Sequence, residues 1–459
     1  MLRKFLKIPH IAAMGFAAAA FLTAAAGTAR ATPVLTVIKS LCYTGTSCPG
    51  SVPTAGPQEL ISDSSGNYFG VTSLAGTHGH GQAFKLLKLM GGGYSYVPIY
   101  DFCPSSGCAD GSLPTGRLVI DTSGNLYGVT AEGGSCTPKP MSGCGTIFEL
   151  SPPGTGTTYT LTTLWTFCSS GSTCPGGVEP GAGLTYAGWP GSAYDGSSTL
   201  FGTTDDGGNG TSPRGIAFKL TGVGGTPALT DIYDFCSASG CTDGSTPDQL
   251  LVDGNGNLFG VTRIGGSCPY DPTDGCGTAF ELSPSGGGYS FATLWTFCAS
   301  SGCADGRTPS GQLVITSTGK LVGTSVFGGS ADGGTVFRIT PNGASSTETV
   351  RYNFCTVGGG ACTDGDFPRG GVFQDASGKF YGVTAFGGAN QLSPGGTVWK
   401  LSGTTLTTLY SFCASPSTNC PDGNLPEASV VYDSVSGNLF GTTEYGGAND
   451  AGEVFELTP

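Results

Sequence analysis

The chain has 459 residues, of which only 11% are charged, and its formal net charge at pH 7 is −13. A surface this acidic disfavours binding to nucleic acids and anionic membranes, because neither would gain phosphate pairing or counterion release. The 81 glycines and the short runs of Val, Leu, Phe, Tyr and Thr are typical of an all-β protein with many tight turns.

The N-terminus has the three parts of a secretory signal. Basic residues come first, an Ala-rich apolar run covers residues 11–26, and Ala29-Arg30-Ala31 forms a small-x-small cleavage site. We therefore expect residues 1–31 to be a signal peptide and residues 32–459 to be one exported domain, extracellular or periplasmic. A retained N-terminal membrane anchor is the alternative. Because no later stretch has the length and apolarity of a membrane span, we expect none in the processed chain.

The rest of the sequence consists of seven repeats of about 60 residues. Each repeat contains four strand-like pieces, which in the second repeat are residues 117–121, 125–130, 145–150 and 161–167. The turn Asp-x-x-Gly-Asn between the first two pieces indicates a hairpin, since Gly and Asn tolerate positive φ. The repeats are marked by an aromatic residue or leucine followed by a cysteine, at Cys42, Cys103, Cys168, Cys236, Cys298, Cys355 and Cys413.

The two ends of the repeat region together make one complete repeat. Residues 32–42 match only the fourth strand-like piece, whereas the chain after Cys413 supplies the first three. This division is useful only if the ends meet, so we expect the N-terminal strand to join the last sheet. The sequence therefore predicts an all-β, seven-bladed β-propeller of four-stranded blades.

A composite motif extends through the repeats. It reads Gly-Asn-Leu-Tyr-Gly-Val-Thr-x-x-Gly-Gly, then Gly-Thr-x-Phe-x-Leu, then Leu-Tyr-Ser-Phe and Asp-Gly-x-x-Pro. This motif resembles that of the GloVer tandem-repeat family of exported bacterial proteins, over nearly all of the processed chain. The resemblance implies an exported, propeller-like repeat protein, and it brings no established activity or catalytic residues with it.

All 18 cysteines fall into local pairs, which predicts nine disulfides in an exported protein. The spacing differs from the tight pairs of zinc knuckles, so we expect no metal and no other cofactor. Seven pairs lie at repeat boundaries, namely Cys42–Cys48, Cys103–Cys108, Cys168–Cys174, Cys236–Cys241, Cys298–Cys303, Cys355–Cys362 and Cys413–Cys420. Two more, Cys136–Cys144 and Cys268–Cys276, lie in the loop between the second and third pieces.

Departures from the repeat mark the candidate ligand-binding residues, because binding residues tend to sit on loops that project from a rigid scaffold. The extended, disulfide-tied loops of the second and fourth repeats offer Lys139, Tyr270 and Asp274. An expanded hairpin turn in the third repeat offers Trp189 and Tyr194, whose rings could stack on a sugar. A loop folded back over its own blade would explain these two aromatic residues equally well.

A repeated Asp-Gly follows the second cysteine of five boundary pairs. Five carboxylates around a ring could gather a cation or bind a sugar. The simpler interpretation is that each carboxylate caps its own turn, since a feature present in most blades usually serves the blade. The five residues are Asp110, Asp243, Asp305, Asp364 and Asp422.

No catalytic pattern stands out in the sequence. Our leading hypothesis is a non-enzymatic extracellular or cell-surface binding protein with a glycan or protein ligand. One alternative is a secreted propeller glycoside hydrolase or polysaccharide lyase that uses channel carboxylates such as Glu132, Asp205 or Glu444. A second is a purely structural surface component. A channel-facing cluster of carboxylate, Tyr and Arg would favour the enzyme, and a ridge of exposed aromatic residues would favour binding.

Overall fold

Seven antiparallel sheets, one for each repeat, form a seven-bladed β-propeller, as the repeats predicted. The segment expected to be a signal peptide lies outside the residues that the structure describes. The computed structural model describes residues 33–41, 59–74, 76–135, 144–168, 174–188, 192–209, 214–299, 302–358, 360, 362–389, 395–414 and 420–459.

Blades 1 to 6 each consist of strands that are consecutive in the chain. The second to fifth strands of the chain form blade 1, and each following group of four forms the next blade, except that blade 4 has its first strand in two parts, Ser245–Pro247 and Leu251–Val252. The strands are β1 (Val34–Ser40), β2 (Ile61–Ser62), β3 (Tyr68–Thr72), β4 (Gln82–Lys88), β5 (Tyr94–Asp101), β6 (Ser112–Ile120), β7 (Leu126–Glu132), β8 (Thr146–Ser151), β9 (Thr160–Thr166), β10 (Thr185–Tyr186), β11 (Leu200–Thr203), β12 (Ile216–Thr221), β13 (Ala228–Asp234), β14 (Ser245–Pro247), β15 (Leu251–Val252), β16 (Leu258–Ile264), β17 (Thr278–Ser285), β18 (Gly288–Thr296), β19 (Arg307–Ile315), β20 (Leu321–Phe327), β21 (Thr335–Thr340), β22 (Thr347–Asn353), β23 (Phe373–Gln374), β24 (Phe380–Thr384), β25 (Thr397–Ser402), β26 (Thr405–Ser411), β27 (Val431–Tyr432), β28 (Leu439–Thr443) and β29 (Glu453–Thr458).

Blade 7 joins the two ends of the described chain. Its strand order is β1-β29-β28-β27, and β1 pairs antiparallel with β29 from Val34 opposite Thr458 to Ser40 opposite Glu453. The Ser40 hydroxyl also donates a hydrogen bond to the Glu453 carboxylate at 2.8 Å. The predicted closure by the N-terminal strand is therefore confirmed, and it removes two open sheet edges.

The phenylalanine of each Phe-Cys pair explains much of the packing between blades. Phe102, at the end of blade 1, is fully buried and meets Phe148 of blade 2 edge to face, with ring centroids 5.1 Å apart. The same contact joins every following pair of blades up to blade 7, because the third strand of each blade carries an aromatic ring at the same place. The other pairs are Phe167–Phe218, Phe235–Phe280, Phe297–Phe337, Phe354–Trp399 and Phe412–Phe455.

A second contact between blades explains the proline of Asp-Gly-x-x-Pro. Phe367, the residue before Pro368, has a φ of 56°, and its N–H donates to the carbonyl of Gly333 in the preceding blade at 3.1 Å. Pro368 then packs on Gly334, where a Cβ would lie 2.7 Å from the proline ring. Because only glycine leaves this space, the glycine and the proline lock adjacent blades together. The other pairs are Gly81–Pro114, Gly145–Pro180, Gly215–Pro247, Gly277–Pro309 and Gly396–Pro426.

Helical turns in the described part of the chain are short 3₁₀ segments such as Ser239–Cys241. No helix there has the length and apolarity needed to span a membrane.

Candidate functional site

Seven of the predicted disulfides are present in the described residues, and they are all local. Cys144 is also disulfide-bonded, while Cys42, Cys48 and Cys136 lie outside the described residues. The seven are Cys103–Cys108, Cys168–Cys174, Cys236–Cys241, Cys268–Cys276, Cys298–Cys303, Cys355–Cys362 and Cys413–Cys420.

The boundary disulfides hold a face of the propeller, which we call the disulfide face. In all six described boundary pairs both cysteines have φ between 37° and 60°, a left-handed conformation that non-glycine residues rarely adopt. The carbonyl of Cys303 accepts N–H groups from Gly306 (2.9 Å) and from Gly329 in the loop between the second and third strands (2.8 Å). Boundary loops and second-to-third-strand loops therefore lie on one face, and the turns that join the other strands form the opposite, hairpin face.

The repeated Asp-Gly carboxylates are used inside their own loops. Asp305 accepts the N–H of Cys298 at 3.1 Å and the indole N–H of Trp295 at 3.0 Å. The other four accept a tyrosine hydroxyl from the last strand, together with backbone N–H groups of the loop. These contacts agree with the capping interpretation and leave the carboxylates occupied by the protein itself. The four are Asp110, Asp243, Asp364 and Asp422.

The sulfur atoms of the disulfide face are poor metal ligands. Three groups of metal-binding side chains converge within the described residues, and each contains at least two cysteines. Those cysteines are bonded in disulfides, so they cannot supply thiolates. One of the three groups consists of His80 and the disulfide-bonded Cys103 and Cys108.

Ion pairs between adjacent blades lie around the mouth of the channel on the disulfide face. Arg263 of blade 4 pairs with Asp205 of blade 3 at 2.6 Å, and Arg369 of blade 6 pairs with Glu427 of blade 7 at 2.7 Å. Burial raises the pKa of Asp205 although Arg263 opposes the shift. Each pair therefore holds a carboxylate that burial alone would tend to neutralise.

Glu444, one of the candidate carboxylates, lies near the Arg369–Glu427 pair. Burial raises its pKa to about 7, the nearby Glu427 carboxylate adds to the shift, and a hydrogen bond with Tyr445 opposes it. The pKa of Glu427 is also raised, because burial outweighs its pairing with Arg369. Two carboxyl groups, of which one titrates near neutral pH, are a pattern that acid–base catalysis can use. Glu132 ends β7 opposite Ser112 of blade 2.

A row of aromatic side chains crosses blades 4 to 6 on the disulfide face, and we call it the aromatic arc. It consists of Tyr270, Phe327, Phe367 and Phe386, together with the guanidinium of Arg307. The guanidinium carbon lies 4.7 Å from the Tyr270 ring centroid and 4.4 Å from that of Phe327. Phe367 meets Phe327 at 4.8 Å and Phe386 at 5.5 Å, edge to face in both contacts.

The arc side chains are accessible to different degrees. Tyr270 is 61% exposed, and the three phenylalanines are partly exposed. Asp332, which is also exposed, holds the Arg307 guanidinium at 3.0 Å. The sequence pattern does not single out the phenylalanines, because they lie in segments that recur in most repeats. One signal was available, since Phe327 and Phe386 stand where the second and third repeats carry Glu132 and Asp206.

The predicted binding residues do not form one site. Tyr270 belongs to the arc, and Asp274 lies in the same disulfide-tied loop, where its N–H donates to the Asp271 carboxylate. Tyr194 is fully buried, so its ring is not available for stacking on a ligand. It contacts Tyr127 of blade 2 at 5.2 Å, because the expanded turn crosses to the neighbouring blade. Lys139 and Trp189 lie outside the described residues.

Comparison with known proteins supports the repeat family. Residues 187–363 match the model of the Gloeobacter/Verrucomicrobia repeat, which confirms the GloVer resemblance over that part of the chain. No curated protein matches the chain.

Solved structures with a similar fold are distant in sequence. A luciferin-regenerating enzyme is 10% identical with a TM-score of 0.43, over 93% of this chain and 95% of that one. The polysaccharide lyase Uly1 is 9% identical with a TM-score of 0.47, over 92% and 94%. An α-L-arabinanase of Penicillium chrysogenum is 14% identical with a TM-score of 0.43, over 75% and 92%. These matches carry no information about the activity of this chain.

Proposed function

We propose that this propeller, which carries the Gloeobacter/Verrucomicrobia repeat, is an exported, non-enzymatic binding protein whose disulfide face binds a neutral glycan. The observation that carries the proposal is the aromatic arc, in which Tyr270 stacks on Arg307 and three phenylalanines continue the row. A sugar ring has an apolar face and a polar rim. An aromatic ring beside a guanidinium and a carboxylate offers complements to both.

Rigidity supports binding at this face. The arc lies on loops that are tied by disulfides and by the contact of Phe367 with the preceding blade. A ligand that meets side chains held in place loses less free energy to ordering them, so a few aromatic contacts suffice for useful affinity.

The charge of the chain favours a neutral ligand. With a formal net charge of −13, the protein repels uronate or sulfate polymers at long range. Arg307 does not reverse this repulsion locally, because Asp332 pairs with it. Neutral hexose or pentose polymers are therefore the glycans that the surface suits.

Export fits the same proposal. Local disulfides form and persist in oxidising compartments, and residues 1–31 have the pattern of a secretory signal. We place the processed protein, residues 32–459, outside the cytoplasm, extracellular or at the cell surface.

The test is a glycan array probed with the oxidised, processed protein. We expect binding to neutral glycans, and a Tyr270→Ala variant to bind at least about tenfold more weakly, a loss of roughly 1.4 kcal/mol. Val357→Ala is the matched control, because Val357 is an exposed apolar residue of a boundary loop on the same face. Its affinity should stay within about twofold of wild type. Binding only to acidic glycans, or equal binding by Tyr270→Ala, would contradict the proposal.

A second candidate function rests on the blade 7 cluster at the channel mouth. Glu427, Glu444, Arg369 and Tyr445 bring paired carboxyls, a guanidinium and a phenol together, which suits a glycoside hydrolase or lyase. Each glycan that binds should be incubated with the protein and analysed for shortened or unsaturated products. Turnover that Glu444→Gln abolishes while binding persists would establish the enzyme and overturn the non-enzymatic proposal. If the array is silent, a protein ligand or a structural role replaces the glycan.

A further inference from the structure

The central channel has a narrow waist to which every blade contributes one residue. At this level the Arg117 guanidinium pairs with the Glu59 carboxylate of the neighbouring blade at 2.9 Å, and the two side chains are only 4% and 18% exposed. Because the charges of this pair cancel, the waist is polar but locally neutral. The seven residues are Glu59, Arg117, Gly183, Gln249, Gln312, Gly371 and Ser429.

A cavity of about 480 Å³ lies on the hairpin-face side of this waist. Its floor includes Glu59, Arg117 and Gln312, whereas its walls are mostly apolar. The ring of Phe373 stacks on that of Tyr432 at 5.5 Å, which makes part of the wall aromatic. Every blade contributes at least one apolar or aromatic side chain to the lining, for example Ile61, Ile120, Tyr186, Leu251, Ile315, Phe373 and Val431.

The expanded turn of blade 3 borders the cavity. Ser192 and Ala193 line it, and the Tyr186 hydroxyl donates to the carbonyl of Ser192 at 2.6 Å. The next residue, Tyr194, is buried, and its carbonyl accepts the N–H of Thr122 in blade 2 at 3.2 Å. The described end of this turn is therefore fastened to two blades, and it forms a fixed wall.

We propose that this cavity is a second binding site, for a small uncharged molecule with an aliphatic or aromatic body and one hydroxyl or amino group. Its volume is within the range of small-molecule pockets. Water along apolar walls finds few hydrogen-bond partners, so an apolar body that displaces it gains free energy.

The polar side chains at the waist are the reason why we expect the ligand to carry one polar group. The Glu59 carboxylate can accept a hydrogen bond from a hydroxyl or an amine. Gln312, which is also on the cavity floor, donates its amide N–H to the carbonyl of Leu250 at 3.1 Å. A ligand with a net charge would find no matching excess charge at the waist, because the Glu59–Arg117 pair is neutral overall.

This site is independent of the glycan surface, since it uses other residues on the opposite face. The probe is N-phenyl-1-naphthylamine, a neutral aromatic amine that fluoresces more strongly in apolar surroundings. We expect the oxidised full chain to bind one equivalent with a saturable increase in fluorescence, and 1-octanol to displace it.

Two variants test where the probe binds. Ala193→Trp places an indole at the cavity wall on an exposed residue, so we expect affinity for the probe to fall at least about tenfold. Val435→Trp is the control, because Val435 is 91% exposed on a hairpin-face turn and does not line the cavity. Its affinity should stay within about twofold of wild type.

Ile315→Asn is a second cavity variant, which makes the wall polar without filling the cavity. It tests the location of the probe even if Ala193→Trp lowers the melting temperature of the protein. We expect it to weaken the probe at least about fivefold. Absence of saturable binding by wild type, or wild-type affinity in both folded cavity variants, would overturn the proposal. Neither result would bear on glycan binding at the arc.

Discussion

The two faces of the propeller are built by different means. The disulfide face is held by covalent bridges, left-handed cysteines and contacts between blades, such as Pro368 on Gly334. The hairpin face relies on local turns, in which Asp253, for example, accepts the N–H groups of Asn255 and Asn257. The disulfide face therefore depends on contacts between adjacent blades as well as on local bridges, whereas a hairpin-face turn such as that of Asp253 can form within a single blade.

The carboxyl groups of the two faces differ in the same way. On the disulfide face, burial raises the pKa of Asp366 to about 6 and that of Glu453 to about 7. On the hairpin face, hydrogen bonds from the Ser198 hydroxyl and from the Ser197 and Ser198 N–H groups lower the pKa of Asp195 to about 2. Burial therefore dominates the pKa of these two acids of the disulfide face, whereas hydrogen bonds within the turn dominate that of Asp195 on the hairpin face.

Substitutions of glycines with positive φ should show the largest difference in stability between the two faces. We expect Gly334→Ala to destabilise the protein by more than about 3 kcal/mol, because a left-handed alanine is strained and its Cβ would overpack the site. That Cβ would lie 2.4 Å from the Ser325 carbonyl oxygen and 2.7 Å from the Pro368 ring. The free energy of unfolding, measured by denaturant titration of the oxidised protein, gives the value.

Gly319→Ala is the matched control on the hairpin face. Gly319 has a similar positive φ of 73°, but nothing lies within 4 Å of its missing Cβ. Only the strain of the left-handed conformation remains, so we expect a loss of about 1 kcal/mol. Equal losses in the two variants would contradict the contrast between the faces.

The closing blade allows a test of the buried acids. Glu453 is fully buried, and burial raises its pKa from the usual 4.5 of a glutamate to about 7. The folded state thus binds more protons between these values, and stability falls as pH rises through them. Glu453→Gln removes this dependence, so it should gain on the order of 2 kcal/mol relative to wild type between pH 5 and pH 8. An unchanged difference between variant and wild type at the two pH values would argue against a buried acid.

Much of the fold could be predicted from the sequence, because its signals repeat. The Phe-Cys pairs and the Asp-Gly turns each act within one blade or between neighbouring blades, and their repetition made them recognisable. The division of one repeat between the two ends predicted the closing blade. The arc and the cavity were not predicted. Phe327 and Phe386 lie about 60 residues apart, and Ile61 and Ile315 line one cavity from different blades, so no local pattern connects the members of either site. Tyr194 is buried because its turn crosses to another blade, and a contact of that kind cannot be recognised within one repeat.

The smallest expected effect belongs to an acid of the hairpin face. Partial burial would raise the pKa of Asp375, but hydrogen bonds from Ser377, the Lys379 N–H and the Tyr381 hydroxyl outweigh it and lower the pKa below 3.8. Asp375→Asn keeps the side-chain oxygen that accepts N–H groups and loses the charge, so we expect a loss of about 1 kcal/mol or less at pH 7.

The stability lost in Asp375→Asn should disappear at low pH. Its pH dependence is therefore opposite in sign to that expected for Glu453. The lowered pKa makes the contribution of Asp375 present above pH 3.8, and it disappears as pH falls further and the folded carboxylate takes up a proton. Blade 5 provides an uncharged control, because Thr316 occupies the same turn position and its hydroxyl accepts the N–H of Lys320 at 3.1 Å. Thr316→Ala should therefore destabilise the protein equally at pH 3 and pH 7. If Asp375→Asn behaves like Thr316→Ala, hydrogen bonding alone stabilises the hairpin face and the charge of its acids has no part in it.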